Sequence, residues 1–341
     1  MPNPLLAPTP MPPRWRSLVA EAGEAHLDLS LEGRPLIRLR LVPGAVPALH
    51  LQTLCADRPQ QGLWAACYWW FARHPDCQRL VWHLPAEQIP ALSASLACGL
   101  LLATEQTGRF TCERGLFWQL PQPWLGDAPR PLFPAQMLFS QGKRHPRRAP
   151  KPSGEVYRRY DSRLGAWVSL RSLDLAQDLE RFNRWQNTPR VLAFWDEGGT
   201  LEQHQQYLQR LHDDPHALTL IGCFNDQPFA YFEAYWAKED RIAPFYDVDD
   251  YDRGMHMLVG EDAHRGPHKV ASWMPALVHY LFLDDPRTQR VVAEPRADNQ
   301  RMISYMEQVG FHCDKAFDFP HKRAALMVLG RERFFDHCRL S

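Results

Sequence analysis

The sequence predicts an α/β protein in which helices cover both faces of a mixed β-sheet. Runs that alternate between apolar and polar residues, which are typical of strands, recur between runs with helical spacing. In residues 155–341 the predicted order is strand, two helices, three strands, helix, strand, helix and two strands, an order that layers helices on a sheet. The 341 residues are 45% hydrophobic and 23% charged, which indicates one large or two ordinary globular domains.

Residues 30–130 alternate between strand and helix patterns, and no catalytic constellation stands out among them. Trp64, Trp69 and Trp70 recur at helical spacing, where aromatic residues usually pack in a core. In chain order the patterns are the strand "RPLIRLRLV", the helix "LWAACYWWFARHP", the strand "QRLVWHLP", the helix "AEQIPALSASLACGLLL" interrupted by Pro90, and the strand-like "RFTCERGLFWQL".

A basic, proline-rich stretch, "QGKRHPRRAPKPSGEVYRR", separates the two parts of the chain. We interpret residues 1–140 as an N-terminal α/β domain, residues 141–154 as a solvated linker and residues 155–341 as a second domain. An arm that binds nucleic acid is the alternative for the stretch. Because 39 Lys and Arg balance 39 Asp and Glu, the zero net charge argues against a protein built to hold nucleic acid or an anionic membrane.

The second part has denser patterns with recognisable helix ends. Asp174 is a predicted N-cap, Asn225 and Asp226 predict a hairpin turn, and Gly310 suits a left-handed C-cap. The strand patterns are "GAWVSLRSL", the hairpin "HALTLIGCFNDQPFAYFEAYWA", "RGMHMLVGE", "QRVVAEP" and "KRAALMVL". The helix patterns are "DLAQDLERFNRWQ", "TLEQHQQYLQRLHDD", "GPHKVASWMPALVHYLFL" and "NQRMISYMEQVGF".

Cysteine usage and apolar runs bear on location and metals. The eight cysteines are scattered without a CxxC pair, which predicts reduced thiols and no zinc site. The N-terminal "MPNPLLAPTPMPPRW" lacks the positive start and long apolar core of a signal peptide. No apolar run reaches the ~20 residues that cross a bilayer. We expect a cytoplasmic protein that binds no metal.

The turn "HRGPHK" leads from a predicted strand into a predicted helix. Gly266 lets a ligand approach the backbone closely, and Pro267 suits the first helical position. Free amides and the positive dipole at a helix start attract anions, and Arg265, His268 and Lys269 add side-chain charge. The turn can therefore seat a diphosphate, although an ordinary strand-to-helix turn has the same pattern.

Four stretches resemble the hydroxamate-forming acyltransferases of siderophore biosynthesis, which belong to the GCN5-related N-acetyltransferase (GNAT) superfamily. The closest likeness is to the aerobactin-type N6-hydroxylysine acetyltransferases, and it covers residues 155–335 densely. The stretches are "RWQNTPRVLAFWDE", "FEAYWAKEDRIAPFYDVDDYDRGMHMLVGEDAHRGPHK", "FLDDPRTQRVVAEPRADNQRMISYMEQVGF" and "FPHKRAALMVL".

The resemblance implies a fold and a co-substrate. The implied fold is a mixed, mostly antiparallel sheet flanked by helices for the catalytic domain, residues 155–341, with an N-terminal domain that is a degenerate second copy. Acetyl-coenzyme A is the implied acyl donor. Its pantetheine arm would pair with the fourth strand at Met257, Leu258 and Val259, and its diphosphate would lie on the turn around Gly266.

The resemblance also implies the catalytic residues. His256 matches a histidine on the fourth strand, and Glu294 matches an acidic residue, often Asp, at the end of the fifth. Asn299 completes the "EPxxxN" pattern near the substrate, although it also suits a helix N-cap. A lone histidine in an apolar strand is more often a core residue. For catalysis we expect an imidazole with an unperturbed pKa near ~6.5 that takes a proton during acyl transfer.

Six residues are candidates for binding the acceptor. Arg190 suits a carboxylate clamp, and the two tryptophans among the six could equally belong to the core. The two aspartates could equally belong to a solvated acidic loop. The candidates are Trp185, Asn187, Arg190, Trp195, Asp247 and Asp250.

The predicted reaction is direct acylation of a side-chain hydroxylamine to give an iron-binding hydroxamate. N6-hydroxylysine, N5-hydroxyornithine and N-hydroxy diamines remain open as acceptors, and succinyl-coenzyme A remains open as a donor. A non-catalytic module with the same fold is the other alternative. The resemblance further implies functional links to a flavin N-monooxygenase and a siderophore synthetase.

Overall fold

The computed structural model describes residues 18–23, 25–125, 133–140, 142–337 and 339–340. The chain forms two compact units. Of the described residues, the first comprises those up to Pro123, Arg159–Gly165 and those from Arg339, and the second comprises those from Trp124 to Arg158 and from Ala166 to His337. The first boundary therefore falls at Pro123, before the predicted boundary at residue 140.

The first unit contains a seven-stranded sheet. Its strands are β1 (Leu18–Ala22), β2 (His26–Leu31), β3 (Arg34–Val42), β4 (Ala48–Leu54), β5 (Arg79–His83), β6 (Leu102–Ala103) and β7 (Arg109–Glu113). Their order across the sheet is β1-β2-β3-β4-β5-β7-β6. The neighbours β4 and β5 are parallel, and the other neighbours are antiparallel.

The larger sheet has eight strands, and a separate two-stranded ribbon precedes it. The ribbon consists of β8 (Met137–Ser140) and β9 (Lys143–Pro146). The sheet strands are β10 (Glu155–Asp161), β11 (Ala166–Ser172), β12 (Ala217–Phe224), β13 (Gln227–Trp236), β14 (Arg253–Val259), β15 (Arg290–Ala293), β16 (His312–Asp318) and β17 (Arg323–Gly330). Their order is β10-β11-β12-β13-β14-β15-β17-β16, and β14 and β15 are the parallel neighbours.

The order β11 to β16 in the second sheet repeats the order β1 to β6 in the first, with the parallel pair at the same place. Two sheets with the same strand order and the same single parallel junction indicate a duplicated fold. The mixed, mostly antiparallel sheets and the second copy that the sequence predicts are therefore present.

Helices connect these strands in both units. In the first unit they are α1 (Pro59–Arg73), α2 (Ser93–Ala97) and α3 (Arg114–Phe117). In the second unit they are α4 (Leu175–Gln186), α5 (Pro189–Trp195), α6 (Leu201–Asp213), α7 (Pro267–Asp284), α8 (Gln300–Val309) and α9 (Arg331–His337).

The helix ends follow the predicted signals. The Asp174 side chain accepts a hydrogen bond from the amide of Ala176 at the start of α4. Gly310 ends α8 with a φ of 112°, in the left-handed region that favours glycine. At Pro90 the predicted N-terminal helix is instead a 3-10 helix, Ala86–Leu92, followed by the short α2. Proline cannot donate the amide hydrogen bond that a continuous α-helix needs there.

The segment interpreted as a linker, residues 141–154, makes buried contacts within the second unit. Residues 143–146 form β9, and the guanidinium of Arg148 forms a two-point ion pair with Glu239 and stacks on Trp236. Lys151 donates to four backbone carbonyls between Leu211 and Ala217. This part of the segment is anchored rather than solvated, because Arg148 pairs with a carboxylate of the same unit and Lys151 donates hydrogen bonds to its carbonyl groups.

The parallel pairing between β14 and β15 is short. It covers Arg253 with Val291 and Gly254 with Val292, whereas β14 stays paired with β13 as far as Val259. Beyond Gly254 the two parallel strands have separated, so one edge of β14 is not covered by β15. His256 lies on β14 just past this separation. Among the described residues, no helix has the length and apolar character needed to cross a membrane.

The Asp174 cap provides a test of the helix that follows it. We expect Asp174→Ala to lower the free energy of unfolding by about 1 kcal/mol, because the start of α4 loses a hydrogen-bond acceptor. Asp174→Asn keeps an acceptor oxygen and is the control. Denaturant unfolding of the three proteins measures the effect, and equal losses for both variants would contradict the capping role.

Candidate active site

An imidazole lies between two carboxylates at the separation of β14 and β15. The Nδ1 atom of His256 is 2.7 Å from Oε2 of Glu233, and its Nε2 atom is 2.5 Å from Oε1 of Glu294. The His256 side chain retains 20% exposure, whereas Glu294 is fully buried. We call these three residues the Glu–His–Glu triad; His256 is its accessible member.

Strand register brings the triad together. Glu233 on β13 lies directly opposite His256 in the antiparallel pairing with β14, and such neighbours have close side chains. Glu294 directly follows β15, whose parallel pairing with β14 ends at Val292. The carboxylate of Glu294 therefore reaches His256 from the strand on the other side.

Three tyrosines hold the two carboxylates in place. Tyr207 and Tyr231 donate to Oε1 of Glu233 at 2.5 and 2.9 Å, and Tyr235 donates to Oε2 of Glu294 at 2.7 Å. Tyr231, Glu233 and Tyr235 share one face of β13 because alternate strand residues point the same way. Each carboxylate is thus hydrogen-bonded on the oxygen that His256 does not use.

The triad is charged at neutral pH. Burial by itself would lower the pKa of His256, but Glu294 and Glu233 together outweigh burial and raise it to about 10. Burial likewise opposes ionisation of Glu294, yet the imidazolium holds its pKa at about 2. The pKa of Glu233 is also lowered, because His256 and the tyrosines outweigh burial. The site therefore contains an imidazolium between two carboxylates, and not the unperturbed imidazole expected from the sequence.

The turn after β14 has the features of an anion site. Gly266 precedes α7 with a φ of 116°, which L side chains rarely adopt, and an added Cβ would lie 3.0 Å from the ring of His268. Pro267 is the first residue of α7, and Arg265 and His268 are exposed. Lys269 lies over the ring of Phe224 at 4.8 Å. The glycine opening, helix start and surrounding cations fit a diphosphate.

The other residues predicted to hold the coenzyme fall into two groups. Met257, Leu258 and Val259 lie on β14 beyond the last pair with β15, beside the uncovered edge. The side chain of Asn299 accepts from the amide of Met302 at 3.2 Å and so caps α8. The capping alternative therefore describes the contact that Asn299 makes.

Three of the predicted acceptor residues make contacts away from the triad. The buried indole of Trp185 donates to Glu261, and an added Cβ on Gly260 would meet its ring. The side chain of Asn187 bonds to the backbone of Asn183 and Gly199.

The guanidinium of Arg190 is also occupied. It donates to the carbonyls of Val259 and Gly260 and pairs with Asp262, at the end of β14 that leads to the anion-binding turn. These bonds differ from the carboxylate clamp expected of Arg190, because its donors already satisfy backbone oxygens at the strand end.

Trp195 is the predicted acceptor residue that the structure brings to the triad. Its ring lies 6.2 Å from that of His256 in an edge-to-face arrangement. Asp250 pairs with Lys238 at 3.3 Å, and the carbonyl of Asp247 accepts from Arg290. Neither aspartate contacts the triad in the described part of the chain.

Sequence reasoning missed Glu233 and its tyrosines. A signal was present, because an acidic residue in the otherwise apolar β13 needs a buried partner. The spacing of Tyr231, Glu233 and Tyr235 also places three polar groups on one face. What the sequence did not show is the register that sets Glu233 opposite His256.

The first unit has different residues at the corresponding positions. Arg40 on β3 lies opposite His50 on β4, and His50 pairs in register with His83 at the end of β5. The rings of His50 and His83 stack at 4.3 Å, and burial is the main cause that lowers the pKa of both. Arginine and histidine thus stand where the second unit has Glu233 and Glu294, so the first unit lacks the triad.

Other reactive groups do not form a second centre in the described residues. Cys223 is buried in the core with Tyr231 and Leu258, and burial raises the pKa of its thiol to about 11, so the thiolate nucleophile is suppressed. No group of three or more His, Cys, Asp or Glu side chains suited to a metal ion occurs in the parts of the chain that are described.

Comparisons with known proteins identify relatives of this chain. A family model described as an acetyltransferase (GNAT) domain matches residues 174–319, which include the whole triad. The chain is 48% identical over 236 residues to a putative lysine N-acyltransferase of Schizosaccharomyces pombe, covering 68% of this chain and 69% of that protein. It is 48% identical over 224 residues to an N(6)-hydroxylysine O-acetyltransferase of Escherichia coli, covering 65% of this chain and 70% of that protein.

A solved structure shows a related fold. An uncharacterized protein from Bacillus halodurans superposes with a TM-score of 0.52 and 27% sequence identity, covering 55% of this chain and 95% of that chain. One fold of that size accounts for about half of the present chain, as expected for a duplicated protein.

The charge on His256 can be tested directly. We expect its imidazole to stay protonated at neutral pH and to titrate near pH 10, because two carboxylates hold the proton. Glu294→Gln removes one negative charge and should lower this pKa. Nitrogen-15 NMR of the histidine rings measures both, with His50 as the internal reference for a ring whose pKa is lowered. A neutral His256 ring at pH 7 would contradict the assignment.

Stability should follow the same titration. Because the folded-state pKa of His256 is raised, its contribution is fully present below the unfolded value of ~6.5 and is lost as pH rises through about 10. We therefore expect the free energy of unfolding to fall between these pH values in the wild type, and to fall less in His256→Gln.

Proposed function

The chain belongs to the GNAT acyltransferase family that contains these relatives, and on that premise we propose that it acetylates the hydroxylamine of an N-hydroxylated amino acid, N6-hydroxylysine first of all. Acetyl-coenzyme A is the acyl donor and reacts as a co-substrate. The product is a hydroxamate, which binds iron(III) through two oxygens and serves siderophore biosynthesis.

The observation that carries the proposal is the imidazolium of His256 at the separation of β14 and β15. Both of its nitrogens are bonded to carboxylates, and both carboxylates are themselves buried and hydrogen-bonded. The triad therefore offers no free base that could deprotonate an alkylammonium. An acceptor must arrive with an unprotonated nitrogen, which a hydroxylamine has at neutral pH and a lysine side chain does not.

The chemistry then needs one group that both gives and takes a proton. The hydroxylamine nitrogen attacks the thioester carbon, and the C–S bond breaks as the C–N bond forms. One N–H of the His256 imidazolium leaves its carboxylate and donates its proton to the leaving sulfur, and the same ring nitrogen then accepts the proton that the acylated nitrogen loses. Glu233 and Glu294 hold the ring and its charge, so the triad ends the reaction with the proton count with which it began.

The anion-binding turn and the edge of β14 support the orientation of the donor. With the diphosphate at Gly266 and the pantetheine arm along Met257, Leu258 and Val259, the thioester end lies toward His256 on the same strand. Direct transfer in a ternary complex is the proposed route, since burial disfavours a Cys223 thiolate.

Further proposals concern the enzymes that act before and after this protein, and its cellular location. A flavin N-monooxygenase would supply the hydroxylamine, and a siderophore synthetase would use the hydroxamate. The seven cysteines in the described residues are all free thiols, which supports a cytoplasmic location.

A mass-spectrometric assay tests the reaction. Purified protein with acetyl-coenzyme A should convert N6-hydroxylysine to a product one acetyl group heavier and leave lysine unchanged. N5-hydroxyornithine and succinyl-coenzyme A in parallel reactions rank the alternative acceptor and donor. A coloured iron(III) complex identifies acetylation on nitrogen, since an ester on oxygen lacks the free hydroxamate. Equal turnover of lysine would overturn the proposal.

Replacement of His256 tests the residue that carries the chemistry. We expect His256→Gln to lower kcat about 10²- to 10⁴-fold, the range for loss of an acid–base group. His50→Gln alters the corresponding strand position of the first unit and should leave kcat unchanged. A non-catalytic module would show no acetylation with any of the three proteins.

The pH dependence of the rate shows whether the protonated or the neutral form of His256 is the active one. We expect kcat/KM for N6-hydroxylysine to be level above neutral pH and to fall as pH rises through about 10, when His256 loses its proton. Initial rates corrected for uncatalysed thioester hydrolysis give the profile. A rate that climbs toward pH 10 would show that the neutral imidazole is the active form and would refute the proposed proton cycle.

A further inference from the structure

Two charged side chains near the triad make no ion pair or hydrogen bond in the described part of the chain. The guanidinium of Arg241 lies over the ring of Phe319, with its carbon 5.4 Å from the ring centre, and has no carboxylate partner there. The carboxylate of Glu197 has no cationic partner there either. Both residues are exposed, so both can meet a ligand from solution.

Arg241 belongs to a cationic group beside Glu294. Lys322 lies 5.6 Å from the ring centre of Phe319, and its ammonium donates to the carbonyl of Glu294 at 2.7 Å. His321 stacks on the same ring at 5.4 Å. Phe319 in turn packs in one core cluster with Tyr235, which donates to Glu294. One wall of the site thus carries the positive side chains of Arg241 and Lys322 and ends at the triad.

Glu197 lies on a different wall of the same site. It follows Trp195 by two residues, and Trp195 contacts the ring of His256. Its carbonyl accepts from Nε2 of His204, whose ring packs against Phe182. Phe182 packs against Tyr231, a hydrogen-bond donor to Glu233. The backbone of Glu197 is therefore anchored to the side of the triad that holds Glu233.

The charged groups on the two walls also affect one another electrostatically. Burial is the main cause that raises the pKa of the Glu197 carboxyl, with Glu233 adding to the rise and Arg241 opposing it. Arg241 also helps to lower the pKa of Lys322, for which burial is the main cause. The charge of Arg241 thus affects the pKa of Lys322 on its own wall and of Glu197 on the other wall. Asp240 is an acidic neighbour of Arg241 in the chain. Its carboxylate accepts a hydrogen bond from the amide of Ile242 and makes no ion pair with Arg241 among the described residues.

We propose that Glu197 and Arg241 recognise the zwitterionic end of the acceptor, Glu197 binding its α-ammonium and Arg241, assisted by Lys322, binding its α-carboxylate. This inference rests on the proposed function and narrows its substrate class to N-hydroxy amino acids, at the expense of N-hydroxy diamines. A diamine carries no carboxylate and would leave Arg241 without a partner. The role expected of Arg190 passes to Arg241, because the Arg190 guanidinium is bonded to the end of β14.

Three acceptors that differ in their charged groups test the Glu197 contact and the Arg241 contact separately. N6-hydroxylysine has both charged groups, N-hydroxycadaverine lacks the carboxylate, and 6-(hydroxyamino)hexanoate lacks the α-amino group. We expect Arg241→Ala to raise KM about 10- to 100-fold for hydroxylysine and the hexanoate, the range for loss of a charged hydrogen bond, and to leave KM for the cadaverine unchanged. Glu197→Gln should raise KM for hydroxylysine and the cadaverine and leave the hexanoate unchanged.

Matched controls come from exposed residues of the first unit. Arg34→Ala and Glu105→Gln remove the same charges there and should leave KM for all three acceptors unchanged. Lys322 is unsuitable as the first variant because it bonds to the backbone of Glu294. Circular dichroism tests whether each variant is folded. If one variant is unfolded, the KM values of the other variant for the three acceptors still test the inference.

The possible outcomes distinguish failure of the zwitterion site from failure of the proposed function. If hydroxylysine is acetylated but the two variants change KM equally for all three acceptors, or not at all, the zwitterion site is wrong and the proposed function stands. If the wild type acetylates none of the three, the proposed function fails and the inference fails with it. The crossed pattern of KM values, with kcat retained, supports both.

Discussion

The site depends on one buried interaction, an imidazolium held between two carboxylates. Burying any of these three charges alone would be costly, and together they offset one another only because both carboxylates also accept hydrogen bonds from tyrosines. The arrangement keeps His256 protonated at neutral pH and fixes its orientation on both sides. Removing one member leaves the others buried and unbalanced, so the same interaction constrains stability and chemistry.

The sheet explains why this interaction forms where a ligand can reach it. Antiparallel pairing continues along β13 and β14 and sets Glu233 opposite His256. Parallel pairing with β15 ends early, so the strands separate and Glu294 approaches from the far side. The same separation leaves one edge of β14 uncovered by β15, and β14 then leads into the turn at Gly266. In the proposed reaction, this one topological feature positions the proton-transfer group, the acyl donor and the acceptor.

The duplicated first unit shows that this topology is not sufficient to form the triad. It has the same strand order and the same short parallel junction. At the corresponding positions, however, Arg40, His50 and His83 replace the carboxylate–imidazole–carboxylate arrangement. Burial and the neighbouring basic groups lower the pKa of both of these histidine rings. The proposed chemistry therefore depends on the side chains at this junction, which among the described residues form the triad in the second unit and not in the first.

The sequence by itself determined most of the helices and strands, because these depend on local signals. Alternation predicted β14, the Asp174 cap predicted the start of α4, and the resemblance to the acyltransferase family assigned His256 and Glu294 to one site, where their side chains are 2.5 Å apart. Only the tertiary structure decided the charge of His256, the partnership with Glu233 and the engagement of Arg190 at the strand end. Those depend on strand register and burial, which bring together residues distant in the chain, and no local pattern encodes the distance between them.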